Sequence, residues 1–226
     1  MGSSASISNP TNNNQLYYPR NPSDALSALT ILSQKLPTEI SLQILEHAKY
    51  WVANRVSRTE QVTYTQHDPA SHDPYLRSLP IEGTRFPVRE IRIQIQSHDQ
   101  GWSSYPKDRG TLRNSWTWFE LGVEHASDRE AETGVSSERD RIKDRRLVTN
   151  VHASKSAREN VVIYRAGVEN EQDDDSGVGD GLSVRELGEL ARLQAGDCVS
   201  IIPRARFAGW TNFVCSASIE IYTMDL

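Results

Sequence analysis

The segment from Ile91 to Val123 constrains the fold more than any other part of the chain. Ile91, Ile93 and Ile95 alternate with Arg92 and Gln94. A two-residue period sets three isoleucines on one face of a strand and polar groups on the other. A polar run, Ser97-His98-Asp99-Gln100-Gly101-Trp102, follows directly, and a second aromatic run, Ser115-Trp116-Thr117-Trp118-Phe119, leads on to Val123. A tryptophan-bearing polar loop between two strands is the layout of a binding loop on a β scaffold. It is not a catalytic signature.

Strand-like segments recur along the rest of the chain, at 61–66, 88–97, 115–124, 145–152, 159–166, 197–203 and 213–223. Turn-rich connections without regular helix alternation predict a mainly β fold, an antiparallel β-sandwich or jelly roll. Two helical elements interrupt it. The apolar positions Leu36, Ile40, Ile44, Leu45, Ala48, Trp51 and Val52 recur at helical spacing, giving a short N-terminal helical segment. Ser183-Val184-Arg185-Glu186 reads as a capping box, followed by Leu187, Leu190 and Leu193, which predicts one late helix. Residues 1–22, rich in Asn, Ser and Pro, read as a disordered tail, 23–57 as the helical segment, and 58–226 as the sandwich. Charged, apolar-poor insertions fall at 126–144 and 168–182.

Composition narrows the function classes. With 226 residues and 37% hydrophobic content the chain can bury a core, while a mean hydropathy of -0.59 points to a sizeable solvated fraction. A net charge of -5 and a pI near 5.7 speak against nucleic acid as partner. Cys198 and Cys215 both sit in apolar strand-like stretches, too few for a disulfide framework and suited to a reducing, cytoplasmic setting. No run reaches the roughly 20 apolar residues of a membrane span. Met1-Gly2-Ser3-Ser4-Ala5-Ser6 fits the N-myristoylation pattern with Gly2 as acceptor, which would give only weak peripheral membrane contact on its own.

Stock chemistry fails motif by motif. The acidic run holding Glu169, Glu171, Asp173, Asp174, Asp175 and Asp180 places Gly177 and Val178 where a calcium loop needs a ligand and a glycine. His67 and His72 are spaced as in a zinc half-site, but the other two ligands are missing nearby. No Gly-x-Ser-x-Gly elbow and no phosphate-binding glycine loop occurs. No catalytic residue, metal site or cofactor is therefore assigned.

Two resemblances add to this reading. Leu36-Pro37-x-Glu39-Ile40-x-x-x-Ile44-Leu45 resembles the opening helix of an F-box, which implies recruitment of a ubiquitin-ligase adaptor. The series Ser97-His98-Asp99-Gln100-Gly101-Trp102-Ser103-Ser104, Ser115-Trp116-Thr117-Trp118-Phe119-Glu120 and Pro203-Arg204-Ala205-Arg206-Phe207-x-Gly209-Trp210 resembles an uncharacterised domain of fungal proteins. It covers roughly residues 88–224 and implies a domain boundary rather than an activity.

The aromatic loops carry the functional expectation. His98, Asp99, Gln100 and Trp102 follow one strand, and Arg204, Arg206, Phe207 and Trp210 lie between the last two. Rings flanked by amide, carboxylate and guanidinium groups can stack on a sugar or anchor a protein partner. The sequence thus predicts a binding or adaptor module for a protein, small-molecule or glycan ligand. A small-molecule enzyme using His98 and Asp99 as acid and base, and an F-box-like adaptor, are the alternatives. Trp116, Trp118 and Trp210 are equally suited to a core role.

Overall fold

A computed structural model describes residues 19–68, 73–83, 87–127, 146–168 and 181–224. The chain opens with two helices, α1 (Pro22–Ser33) and α2 (Thr38–His47). Asn21 starts α1 by accepting the Asp24 N–H at 3.0 Å, with Pro22 in the first turn, where its missing N–H costs nothing. The Leu36-Pro37 step separates the helices because a residue preceding proline is steered out of the helical region. Lys49 then adopts a left-handed backbone, with φ +49°.

That reversal overturns part of the helical expectation. The stripe does not continue through Trp51 and Val52. Instead β1 (Val52–Arg58) leaves the helical segment and pairs antiparallel with the last strand. Among the described residues, ten strands form two sheets. The larger runs β1, β10 (Thr211–Thr223), β4 (Val88–His98), β7 (Arg158–Arg165) and β8 (Leu182–Glu186), with β2 (Val62–Thr65) continuing the β1 edge alongside β10. The smaller runs β3 (Leu76–Arg77), β9 (Cys198–Ala205), β5 (Thr117–Glu124) and β6 (Arg146–Thr149).

The seven expected strands correspond to β2, β4, β5, β6, β7, β9 and β10. The remaining three differ from expectation for identifiable reasons. The capping-box residues Ser183–Glu186 are strand, parallel to β7 in the register Val162↔Ser183 to Arg165↔Glu186. Ladder hydrogen bonds outweigh the local capping alternative there. The late helix is a single 3-10 segment, Gly188–Arg192, and its three-residue repeat stacks Leu187, Leu190 and Leu193 toward the core. β3 is only two residues long, too short to leave an alternation.

Ile91, Ile93 and Ile95 are fully buried with Ile219 of the neighbouring β10, in one core with Phe119, Val199 and Ile201 of the smaller sheet. The outer face of the larger sheet carries a charge ladder. Arg55 meets Glu220 at 3.4 Å, Arg92 meets Glu90 at 3.3 Å, and Arg165 meets Glu90 at 2.7 Å. At the β8 edge, Arg185 donates to the carbonyls of Arg146 and Leu147 at 2.7 and 3.0 Å. This ties the larger sheet to β6 of the smaller one and blunts an open edge. The expected insertion cores, at 128–145 and 169–180, lie outside the described residues, as do Gly2 and His72.

Candidate aromatic binding surface

Three loops converge at one end of the sandwich. They are 99–116 after β4, 150–157 after β6 and 206–210 between β9 and β10. The first and third, singled out from the sequence, meet directly. Thr211 N–H donates to Gln100 Oε1 at 3.2 Å, and Arg206 N–H donates to the Trp116 carbonyl at 2.9 Å. Trp102 lies over Gly209, where an added Cβ would sit 3.2 Å from the indole, and Gly209 has φ +87°. Only glycine meets both requirements at that position.

Asp99 brings in the second loop. Its fully buried carboxylate accepts from Gly101 N at 2.8 Å and from Ala153 N at 2.7 Å. Burial raises its pKa above the ordinary carboxylate value, against the pull of those two N–H donors and of His152 and His98. Gly101, at φ +78°, leaves room for the Lys155 stem across its α-carbon. His98 donates from Nδ1 to the Asp99 carbonyl at 2.7 Å and stacks on Phe213, with ring centroids 4.7 Å apart.

The aromatic side chains divide into two groups. Trp102, Tyr105 and Phe207 are 54%, 57% and 45% exposed. Trp116 and Trp210 are half-buried. Trp116 meets Phe207 edge to face at 4.7 Å, and Trp210 meets the buried His152 in the same manner at 5.2 Å. The Arg206 guanidinium lies 5.1 Å from the Phe207 ring and 5.9 Å from that of Trp116, within cation–π range. Trp118 is also half-buried. It faces out from β5, donates to Glu120 at 2.9 Å and stacks under Arg146. Inward positions of β5 belong to Thr117, Phe119 and Leu121.

Phe207 has φ +70°. For a bulky residue this left-handed backbone is an outlier costing about 1–3 kcal/mol. Here it presents a half-exposed ring.

Seven of the eight candidate residues thus share one end of the molecule. The eighth, Arg204, lies within β9 and pairs with Glu120 at 2.8 Å. Asp99 and Gln100 bind neighbouring loops, so their polar atoms are engaged internally. Residues without a motif complete the end: Tyr105, His152 and Lys155 in the loops, and beneath them a buried polar network. In that network Ser97 donates to Asn150 Oδ1 at 2.7 Å, and Asn150 Nδ2 donates to Thr117 at 3.0 Å and Asn212 at 2.9 Å. Asn212 in turn donates to the carbonyls of Trp118 and Arg204. The only sequence signal was an asparagine set among strand residues.

Two small clefts among the described residues lie elsewhere. One, of about 10 Å³, is lined by Val56, Ile81 and Ile219, and the other, of about 40 Å³, by Ala25, Tyr50 and Met224. Among the described residues no group of three or more His, Cys, Asp or Glu side chains is placed to hold a metal ion, and no helix is long and apolar enough to cross a membrane. Comparison with protein-family models, with curated proteins and with solved structures returned no match.

Proposed function

We propose that the protein is a binding or adaptor module that grips a macromolecular partner through the aromatic loop end. The carrying observation is Phe207, a strained backbone position that holds an exposed ring. Strain of this kind persists only where the surrounding structure imposes it, and it clusters at functional sites. At roughly 150–250 Å² per aromatic side chain, the exposed parts of Trp102, Tyr105 and Phe207 offer on the order of 300 Å². That is the size of a functional surface patch. Most of the residues that carry the resemblance to the fungal domain fall at this same end, in 97–104, 115–116 and 206–210, the rest lying in β5 and β9. The unbridged thiols of Cys198 and Cys215 support an intracellular setting.

The acid/base alternative is weaker on geometry. Both oxygens of Asp99 accept backbone N–H groups and the carboxylate is closed to solvent, so a substrate at the surface has no access to it.

The test is Phe207→Gly beside Trp102→Ala. Phe207→Gly relieves the left-handed strain, so its unfolding free energy should stay within about 1 kcal/mol of wild type, while both variants lose the proteins that co-purify with the wild type. Unchanged partners in both variants, or unfolding of both, would sink the proposal.

A second reading rests on a separate observation. Leu36, Ile40 and Ile44, the residues that resemble an F-box helix, are 36%, 42% and 40% exposed rather than packed. Exposed apolar residues in one stripe are what a docking helix presents. We infer a second, adaptor-directed surface on α2 as the alternative function.

A further inference from the structure

We propose that the partner of the aromatic loop end is an acidic polypeptide segment with apolar side chains interspersed among its carboxylates. The inference rests on the aromatic-surface reading and adds the chemistry of what is bound. Its basis is a contrast in how the cations are used. Across the strands, arginines are committed to carboxylates: Arg55 to Glu220, Arg58 to Glu60, Arg77 to Glu124, Arg92 and Arg165 to Glu90, and Arg204 to Glu120. At the loop end the pattern reverses. Lys107, Arg109, Lys155 and Arg206 form no ion pair among the described residues, and Arg113 reaches Asp108 only at 3.9 Å. The three loops together hold five cations and two carboxylates in a chain of net charge -5. One of those carboxylates, Asp99, is buried. These three loops therefore carry an excess of positive charge on an acidic protein.

The arrangement of these cations selects the class of anion. Phe207 has a cation against its ring, and the loops that carry Trp102 and Tyr105 bring cations close in the chain. Arg206 lies against Phe207. The Lys155 stem lies across Gly101, next to Trp102 in the chain. Tyr105 precedes Lys107, and Arg109 donates to the Ser103 carbonyl at 3.3 Å. The loops therefore mix rings with cations, and an acidic peptide with interspersed apolar residues offers the complementary mixture. A nucleic-acid strand carries a charge on every nucleotide and is met by a continuous basic track, usually on a basic domain. Charge pairs at the rim of an aromatic anchor set orientation and association rate, while the rings supply the buried hot spot.

Fluorescence anisotropy with a labelled peptide of alternating glutamate and leucine tests this directly. The controls are its lysine–leucine counterpart, oligouridylate, and vesicles of phosphatidylserine and phosphatidylcholine. The glutamate peptide should bind the full chain, and binding should weaken as salt rises. It should fall about tenfold or more in the Lys155→Glu/Arg206→Glu double variant. Arg206→Gln, which removes the charge without reversing it, should fall between, and thermal unfolding of these surface variants should match wild type. Equal binding by the charge-reversed variant overturns the inference, as does preference for oligouridylate or the vesicles. Failure of the peptide while Trp102→Ala still loses its co-purifying partners removes the acidic partner and leaves the aromatic surface standing. Retention of those partners by Trp102→Ala and Phe207→Gly removes the surface itself.

Discussion

Asp197 and Asp99 are both buried carboxylates that accept backbone N–H groups, yet acid acts on them in opposite senses. Asp197 accepts from Ala126 N at 3.0 Å, Gln194 N at 3.0 Å and His125 Nδ1 at 3.1 Å. Burial pushes its pKa up, but those three donors and the His125 charge outweigh it and hold it below the ordinary value. The folded state therefore binds this proton less readily than the unfolded chain does. Its stabilisation is present above the unfolded carboxylate value near pH 4 and is lost as pH falls through the folded value. For Asp99 the folded pKa is raised, so acidification favours the folded state at that residue. Asp197→Asn should cost about 2 kcal/mol near neutral pH, the scale of hydrogen bonds to a charged group. The gap to wild type should shrink below about pH 4. Urea titrations across that range give the answer, and a gap independent of pH would refute the assignment.

At the scale of elements, α2 shows an apolar stripe that the sandwich does not cover. Ser41 and Leu45 turn inward, Glu46 reaches Arg89 on β4 at 3.1 Å, and Leu36, Ile40 and Ile44 remain exposed. Replacing Leu36 and Ile40 with serine should cost under about 0.5 kcal/mol each, as for surface positions. If α2 recruits a ubiquitin-ligase adaptor, the wild type should co-purify with it and the variant should not. Absence of the adaptor from the wild type, or unfolding of the variant, rejects that role. The sequence predicted this helix from its period, but its end was illegible. Trp51 and Val52 continue the helical spacing numerically, but the left-handed Lys49 parts them from the helix and Val52 opens a strand. β4 was legible because one face is all isoleucine and the other polar. β8 was not, because Ser183 and Glu186 carry capping chemistry that a neighbouring strand overrides. Local signals name an element reliably where no long-range partner competes for the same backbone groups.

For the molecule as a whole, the two sheets are joined below the candidate surface by side-chain polar bonds. Asn150, after β6, and Asn212, on β10, are both nearly inaccessible to solvent and hydrogen-bond to each other at 2.9 Å. Ser97 adds β4, Thr117 adds β5, and the Arg204 carbonyl adds β9. Four strands and the start of the second loop are thereby fixed at the end where the aromatic side chains emerge. The aromatic residues of the site were visible in the sequence, since tryptophan beside arginine marks an interface. The supporting network was not, because a buried asparagine is identified by partners that are up to 94 residues away in the chain. Fully satisfied networks of this kind specify one packing, and removing a single member leaves the others unpaired. Asn212→Ala removes one of the two acceptors of Asn150 Nδ2 and the side-chain donor to two carbonyls, so it should cost about 3 kcal/mol. A cycle with Asn150→Ala should return a coupling of about 1 kcal/mol. Because the loops rest on this network, Asn212→Ala should also weaken binding to the glutamate–leucine peptide under conditions where the protein remains folded. Additive losses in the cycle, with peptide binding intact, would show that the sheets and the loop end are held independently.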